Sequence, residues 1–386
     1  VTLRGTNQES GRPYNRRIVL ESIRLHGPTT RNDIARRVGL TVQTVSTIVR
    51  ELDEQHYILS LREQPRGRGL PPEVLRINPE GGYAVGIHVT PIGIRAGLIN
   101  LGGDVVATLQ RDAPGATPDL AFDLIGSMVP ELTGLRPEGR ILGVGMAMPG
   151  PFDVEAMSFV GPTTMAGWKD VKLRERLAEA TGLPAFLEPD MVAAALGEQL
   201  HGLGTQFSDY YYLYFGIGLG GAMVQDGAVY RGTWGNAGEI GHIPAIPDGE
   251  ACPCGNRGCL ERYLSLEAFG RRRLGEAEWT REVAPIFRNA MATIENLFDP
   301  QTVILGGLAT TSLLERLAGF AQSLPNSVSA RAGRTAPRIL VGRGGQNSVL
   351  RGAAALAISG ALSPRFGRMF TDGRPADPVR RKGIAA

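Results

Sequence analysis

The sequence predicts an α/β protein in which a small, arginine-rich helical module precedes a larger domain of two strand-and-helix lobes. Three observations carry this. Three short amphipathic helical patterns fill residues 15–55. Two glycine-centred apolar hairpin patterns, YAVGIHVTPIGIRAGLI from Tyr83 and YYLYFGIGLGGAMV from Tyr211, recur in the manner of an internal duplication. Buried-strand and helical patterns alternate between and after them, which argues α/β in two lobes.

In the first pattern, NRRIVLESIRLH over 15–26, Val19, Ser22, Ile23 and His26 share a stripe, and Gly27-Pro28 is a helix stop. A second helix opens at Thr30, where Asp33 takes the reciprocal place of a capping box; Ile34, Ala35 and Val38 form its apolar face and Gly39 ends it. The third, from Thr41, buries Val42, Val45, Val49 and Leu52 by spacing and turns Gln43, Thr44, Thr47 and Arg50 outward. Two short helices joined at a glycine, the second presenting Gln and Thr near its start, describe a helix-turn-helix whose recognition helix reads operator DNA in the major groove. A plain three-helix interaction module is the alternative. Alternating strands over 57–63 and 74–77 then flank QPRGRGLP, the pattern of a winged helix, with Arg66 and Arg68 on the wing to enter a narrow minor groove or to touch phosphates.

Residues 79–82 break the pattern and form a linker between the winged module (1–78) and the larger domain (83–363). Within that domain a strand is expected over 141–148, a loop over 149–168, a helix over 173–181 ended by Gly182, a strand through Phe186 and Leu187, and a helix over 191–201. A long helix over 282–299, strands at 302–307 and 339–341 and a helix over 349–359 complete it. The tail, 364–386, reads as extended or disordered.

The formal net charge of +3 is uneven: residues 1–78 hold 13 arginines, no lysine and 8 acidic residues, a net of +5 that leaves −2 for the rest. The basic end points to a polyanion. No run reaches the roughly 20 apolar residues of a membrane span, and the polar first residues do not read as a secretory signal. A cytoplasmic protein is expected.

All three cysteines lie in one stretch, CPCGNRGC from Cys252 to Cys259, with His242 a short loop upstream. Three thiolates and one imidazole form the ligand set of a closed tetrahedral site, so His242, Cys252, Cys254 and Cys259 are expected to hold one structural Zn2+. A disulfide is the alternative, but Cys-Pro-Cys is too short to bridge comfortably. Closing this loop brings Glu239, His242 and Glu261 onto one surface. That surface suits a polyhydroxyl ligand, or else the two glutamates orient the metal shell.

GEIGH at 238–242 followed by CPCGNRGCLE resembles the signature of the ROK family of repressors, open reading frames and sugar kinases, with weaker motifs from about Tyr83 to Gly352. The resemblance implies an actin-like (ribonuclease H-like, duplicated) sugar-binding domain with a structural zinc loop. In the family's kinases the first hairpin carries an Asp and a Gly-Gly-Thr that hold nucleotide phosphate. Here His88, Val89, Thr90, Pro91 and Ile92 stand there, so the phosphate cradle is lost and no enzyme activity is expected. Gly216–Gly221 resembles the family's other phosphate loop and Gly306-Gly307 its adenosine-side turn. Glu188-Pro189-Asp190 resembles the family's Glu-Asn-Asp, which puts Asp190 at the general-base position as a sugar ligand, and Thr163-Thr164 replaces an Asn-Leu ahead of Gly167-Trp168. The resemblance therefore implies a sugar-responsive transcriptional regulator, a repressor of carbohydrate uptake or catabolism in first reading. It would bind a monosaccharide or derivative through Asp190, Glu239, His242 and Glu261 and act as a homodimer or larger homo-oligomer. The alternatives are a sugar kinase with a DNA-binding extension and a zinc-stabilised interaction protein that binds no sugar.

Overall fold

The computed structural model describes residues 12–62, 73–153, 158–159, 165, 167–329 and 333–362. They form two compact units, divided in sequence between Gly81 and Gly82 and again between Ala357 and Ile358, the residues from Ile358 on grouping with the N-terminal unit.

The N-terminal unit is built from α1 (Arg12–His26), α2 (Arg31–Val38), α3 (Val42–Glu54), β1 (Ile58–Arg62) and β2 (Glu73–Ile77). Thr30 starts α2 as its sequence requires: its hydroxyl accepts from the Asp33 backbone N–H and donates to the Asp33 carboxylate at 2.8 Å. Gly39 closes α2 at φ 67°, a conformation cheap only for glycine. Thr41 caps α3 by accepting from the Thr44 N–H. Ile18, Ile23, Ile34, Val45, Val49 and Leu52 make the core, all at most 1 % exposed.

Two spacing expectations fail here. Val42 is 46 % exposed, because it opens α3 at the rim and Leu40 fills the core at that end; Ile48 joins the buried face in its stead. His26 is exposed in the last turn of α1, where a polar ring in water faces the carbonyl ends of the helix. β1 and β2 pair antiparallel, Ile58 opposite Ile77, and the Thr29 backbone exchanges two hydrogen bonds with Leu75.

The larger unit contains two sheets of the same plan. Its first half runs β3 (Tyr83–Thr90), β4 (Gly93–Asn100), β5 (Val105–Asp112), α4 (Pro118–Thr133), β6 (Ile141–Met148), the short pair β7 (Phe152–Asp153) and β8 (Ser158–Phe159), α5 (Leu173–Thr181), β9 (Ala185–Pro189) and α6 (Asp190–His201). Its second half runs β10 (Tyr210–Phe215), β11 (Leu219–Gln225), β12 (Ala228–Val229), α7 (Leu266–Arg272), α8 (Glu276–Phe298), β13 (Thr302–Gly307), α9 (Thr311–Ala318), β14 (Ile339–Val341) and α10 (Ser348–Leu362). The strand orders are β5-β4-β3-β6-β9 and β12-β11-β10-β13-β14. In each, three antiparallel strands are followed by two added in parallel, so the duplication visible in the hairpin sequences extends to whole-sheet topology.

Between the sheets, α6 and α10 cross backbone against backbone. A Cβ on Gly352 would lie 1.6 Å from the Ala193 carbonyl oxygen and one on Gly197 2.2 Å from that of Ser348. Gly86 and Gly145 let α10 approach β3 and β6 as closely. This contact fixes α6, and with it Asp190 at its first residue, at the C-terminal end of β9. Under the second sheet, α8 buries Trp279, Val283, Phe287, Met291 and Ile294. It begins at Glu276, six residues before the expected start. β5, α4, α7 and α9 go beyond the sequence expectations, although Thr117-Pro118 and Thr310 are ordinary N-terminal signals, each threonine accepting from the N–H three residues on.

Candidate functional site

The site forms where both hairpin tips, the start of α6 and the loop from Gly238 to Arg262 converge within the larger unit. A cavity of about 230 Å³ lies there, and its wall includes Asp190, Glu239, His242 and Glu261 together with Cys254. The fold thus brings together the four residues singled out as sugar ligands. It adds Pro149, Met191, Tyr214 and Leu308, which sequence reading missed because their chemistry is unremarkable until the fold gathers them.

Glu239 is placed by backbone geometry. Gly238 has φ 108°, and a Cβ on it would fall 1.9 Å from the Gly221 carbonyl oxygen, so only glycine permits the Gly221 N–H to reach the Gly238 carbonyl (2.9 Å). The next residues make a single tight turn, Ile240–His242, with Ile240 and Gly241 buried. His242 Nε2 lies 3.9 Å from Glu239 Oε2, and its Nδ1 lies 3.7 Å from Glu261 Oε1. Burial raises the Glu239 pKa; His242 opposes this, and Asp190 and Glu261 add to it.

Asp190 opens α6, its Oδ1 accepting from the adjacent Met191 N–H at 2.8 Å. Beneath it His88, 1 % exposed, holds Nε2 3.7 Å from Asp190 Oδ2 and has no hydrogen-bond partner on that nitrogen among the described residues. The neighbouring Glu188 is ion-paired with Arg231. Tyr214 is buried in the cavity wall near Asp190, and its hydroxyl is held well above its usual pKa by burial and then by the Asp190 charge.

The knot beside the cavity is a candidate metal centre. One ligand atom from each of His242, Cys252, Cys254 and Cys259 lies within 4.8 Å of all the others. Cys252 Sγ is 3.7 Å from His242 Nδ1, and Cys254 Sγ is 3.6 Å from Cys259 Sγ. Tetrahedral zinc with bonds of about 2.3 Å requires edges of roughly 3.8 Å. The spacing therefore fits a metal, and a disulfide, at about 2 Å, is not formed. Against burial, the Asn256 backbone N–H and the neighbouring thiols bring the Cys254 thiol down to about 7. The loop closes because Cys252 N–H bonds the Asn256 carbonyl and because Gly258, at φ 73°, passes where a Cβ would meet the Ile246 carbonyl oxygen at 1.7 Å.

The two hairpin tips differ. At the first, Thr90 Oγ1 donates to the Gly93 carbonyl and accepts from the Ile92 N–H (3.4 Å), and Pro91 has no N–H. At the second, Gly220 and Gly221 are glycines because a Cβ would strike Met191 and the Tyr211 hydroxyl, at 2.6 and 2.1 Å. Gly307 is held at φ 111° close to the Phe215 backbone. The Gly167-Trp168 pair is structural: Trp168 is fully buried, and its Nε1–H donates to the Ala116 carbonyl.

In the N-terminal unit, Gln43, Thr47 and Arg50 are exposed along α3 and Thr44 is half-buried. The Thr47 hydroxyl donates back to the Gln43 carbonyl at 3.2 Å. Arg66, Arg68, Thr163 and Thr164 lie outside the described residues.

A model of the ROK family matches residues 84–291, more than half of the chain. The chain belongs to the ROK family. A model described as winged helix-turn-helix DNA-binding matches residues 13–58 ahead of the ROK match. Among curated relatives, the xylose repressor of Bacillus subtilis is 26 % identical over 339 residues, covering 82 % of this chain and 87 % of that protein. The structure of a ROK-family transcriptional regulator, a homologue of the E. coli MLC protein, superposes with a TM-score of 0.71 at 23 % identity, covering 93 % of this chain and 98 % of the other, and shares the fold. A ROK-family glucokinase from Streptomyces griseus, in complex with glucose and AMPPNP, superposes with a TM-score of 0.64 at 26 % identity, covering 72 % of this chain and 100 % of the other. The ROK fold therefore occurs in both regulators and kinases related to this chain. None of its described helices is long and apolar enough to cross a membrane.

Proposed function

We propose that this ROK protein is a sugar-responsive transcriptional regulator, a repressor of carbohydrate uptake or catabolism genes. It binds operator DNA through Gln43, Thr44, Thr47 and Arg50 on α3, assisted by Arg66 and Arg68, and it takes a monosaccharide at Asp190, Glu239, His242 and Glu261. The observation that carries the reading is one cavity lined by three carboxylates and an imidazole in a chain that also bears a helix-turn-helix. Carboxylates accept from sugar hydroxyls, and His242, with Nδ1 toward the metal position, keeps Nε2 for the cavity side. One zinc ion held by His242, Cys252, Cys254 and Cys259 braces that wall. Two copies of the chain would present two recognition helices to a two-fold operator.

The protein is read as lacking kinase activity. The Thr90–Gly93 turn uses its threonine hydroxyl and the Ile92 N–H internally, and Pro91 offers no donor to a phosphate. Asp190 and the likeness to the Streptomyces griseus glucokinase favour a sugar kinase as the second reading. Sugar-dependent ATP turnover that Asp190→Asn abolishes would establish that second reading instead.

The test is a DNA-binding titration on duplexes selected by the protein from a random pool, with and without a monosaccharide panel. Glu239→Ala should leave DNA affinity within about twofold and abolish the sugar response, since a ligand shifts an equilibrium only through unequal binding to its two states. A Glu239→Ala protein that still responds fully overturns the site assignment.

A further inference from the structure

The charge of the cavity wall restricts what can occupy it. Among the described residues that line the cavity, Asp190, Glu239 and Glu261 are the acidic groups, and none is a lysine or arginine. Two arginines come near the wall without joining it. Arg95, whose charge reaches Tyr214, donates to the Gln346 carbonyl and the Asn347 side-chain oxygen, and Arg231 is paired with Glu188. The loop over 149–168 contains no basic residue anywhere in its sequence. The metal position does not reverse the sign: a divalent ion with three thiolates and a neutral imidazole carries a net charge of −1.

Neutral donors for a phosphate are few at the first tip and along the proline positions of the wall. Pro91, Pro149, Pro151 and Pro253 line the cavity and have no N–H, and the Ile92 N–H at the first tip is directed to Thr90 Oγ1. An arginine fork is absent from the described wall, whereas the second tip lines it with the backbone of Ile217, Gly218 and Leu219, so it is charge that disfavours an anion here.

We infer that the effector of this site is an unphosphorylated sugar without a carboxylate, a ligand offering hydroxyls to the wall and no anionic group. This rests on the reading of the cavity as a sugar site. An anionic substituent that enters the cavity meets a wall whose charged groups are carboxylates, and one such charge at about 8 Å and an effective dielectric of about 20 disfavours binding by roughly tenfold or more. The class of reaction that consumes such an effector is phosphorylation or isomerisation of the free sugar, and the phosphorylated product would no longer be sensed.

The experiment is calorimetric titration of the full chain, loaded with zinc, against matched ligands: D-glucose with glucose 6-phosphate and glucuronate, D-xylose with xylose 1-phosphate, and N-acetylglucosamine with its 6-phosphate. At 50 mM salt at least one free sugar should bind, and its anionic partner should bind at least tenfold more weakly. That gap should narrow at 500 mM salt, where charges are screened over about 4 Å, and should also narrow in Glu261→Gln. A phosphorylated or acidic ligand that binds more tightly than its free parent overturns the inference and leaves the regulator reading intact. Silence from every ligand overturns both the inference and the assignment of the cavity to a sugar.

Discussion

The tips of β3-β4 and β10-β11 hold equivalent places in two sheets of one strand order, and they have diverged in opposite directions. The first is closed on itself by Thr90 Oγ1, stiffened by Pro91, and tied down by the Gly115 N–H to Pro91 carbonyl bond (2.9 Å). The second is glycine-rich and is held from outside: the Leu266 and Glu267 N–H groups bond the Gly216 and Ile217 carbonyls, and Glu261 Oε2 lies 2.9 Å from where a Gly218 Cβ would be. A duplicated fold conserves where a loop must be, while the side chains decide what the loop can hold. One tip offers a phosphate little, and the other serves as a wall of the cavity braced by the cysteine knot.

The largest effect that would sharpen this contrast is loss of the brace. Cys259→Ser should lower bound zinc from one per chain toward none, and amide exchange should then quicken at residues 216–219 but not at 90–93. Equal protection of both tips, or no zinc in the unsubstituted protein, would break the comparison.

A smaller loss is expected from Gly221→Ala, whose methyl group would meet the Tyr211 hydroxyl at 2.1 Å. Overpacking of this kind costs about 1–3 kcal/mol, and this site belongs at the upper end because Tyr211 is itself buried. A denaturant midpoint unchanged by the substitution would show that the second tip is not held by packing.

The smallest effect belongs to the first tip. Pro91→Gly should destabilise by about 0.4–1 kcal/mol through unfolded-state entropy, and, if His88 stands where the family resemblance implies an acidic residue, ATP affinity should be undetectable by calorimetry in that variant. Millimolar or tighter ATP binding in that variant would mean that the proline alone had closed the site.

Much of the molecule was legible in its residues because the signals are local. Thr30 with Asp33, Gly39, Gly182, the repeated hairpins and the four metal-type ligands each express a short-range constraint of backbone or coordination, and each lies where the sequence places it. Val42 and His26 sit on helical stripes that spacing assigns to the core, yet both are exposed, because spacing gives the face of a helix and not how far the neighbouring element extends over it. The same limit hid Tyr214, Met191 and Leu308 from view: they become cavity walls only when two sheets and α6 converge. Sequence determined the kinds of groups available, three carboxylates, an imidazole and a thiolate knot. Tertiary structure decided that they share one acidic cavity with no cation among its described lining residues, because that depends on the backbone crossing of α6 and α10 at Gly197 and Gly352, a contact between residues more than 150 positions apart.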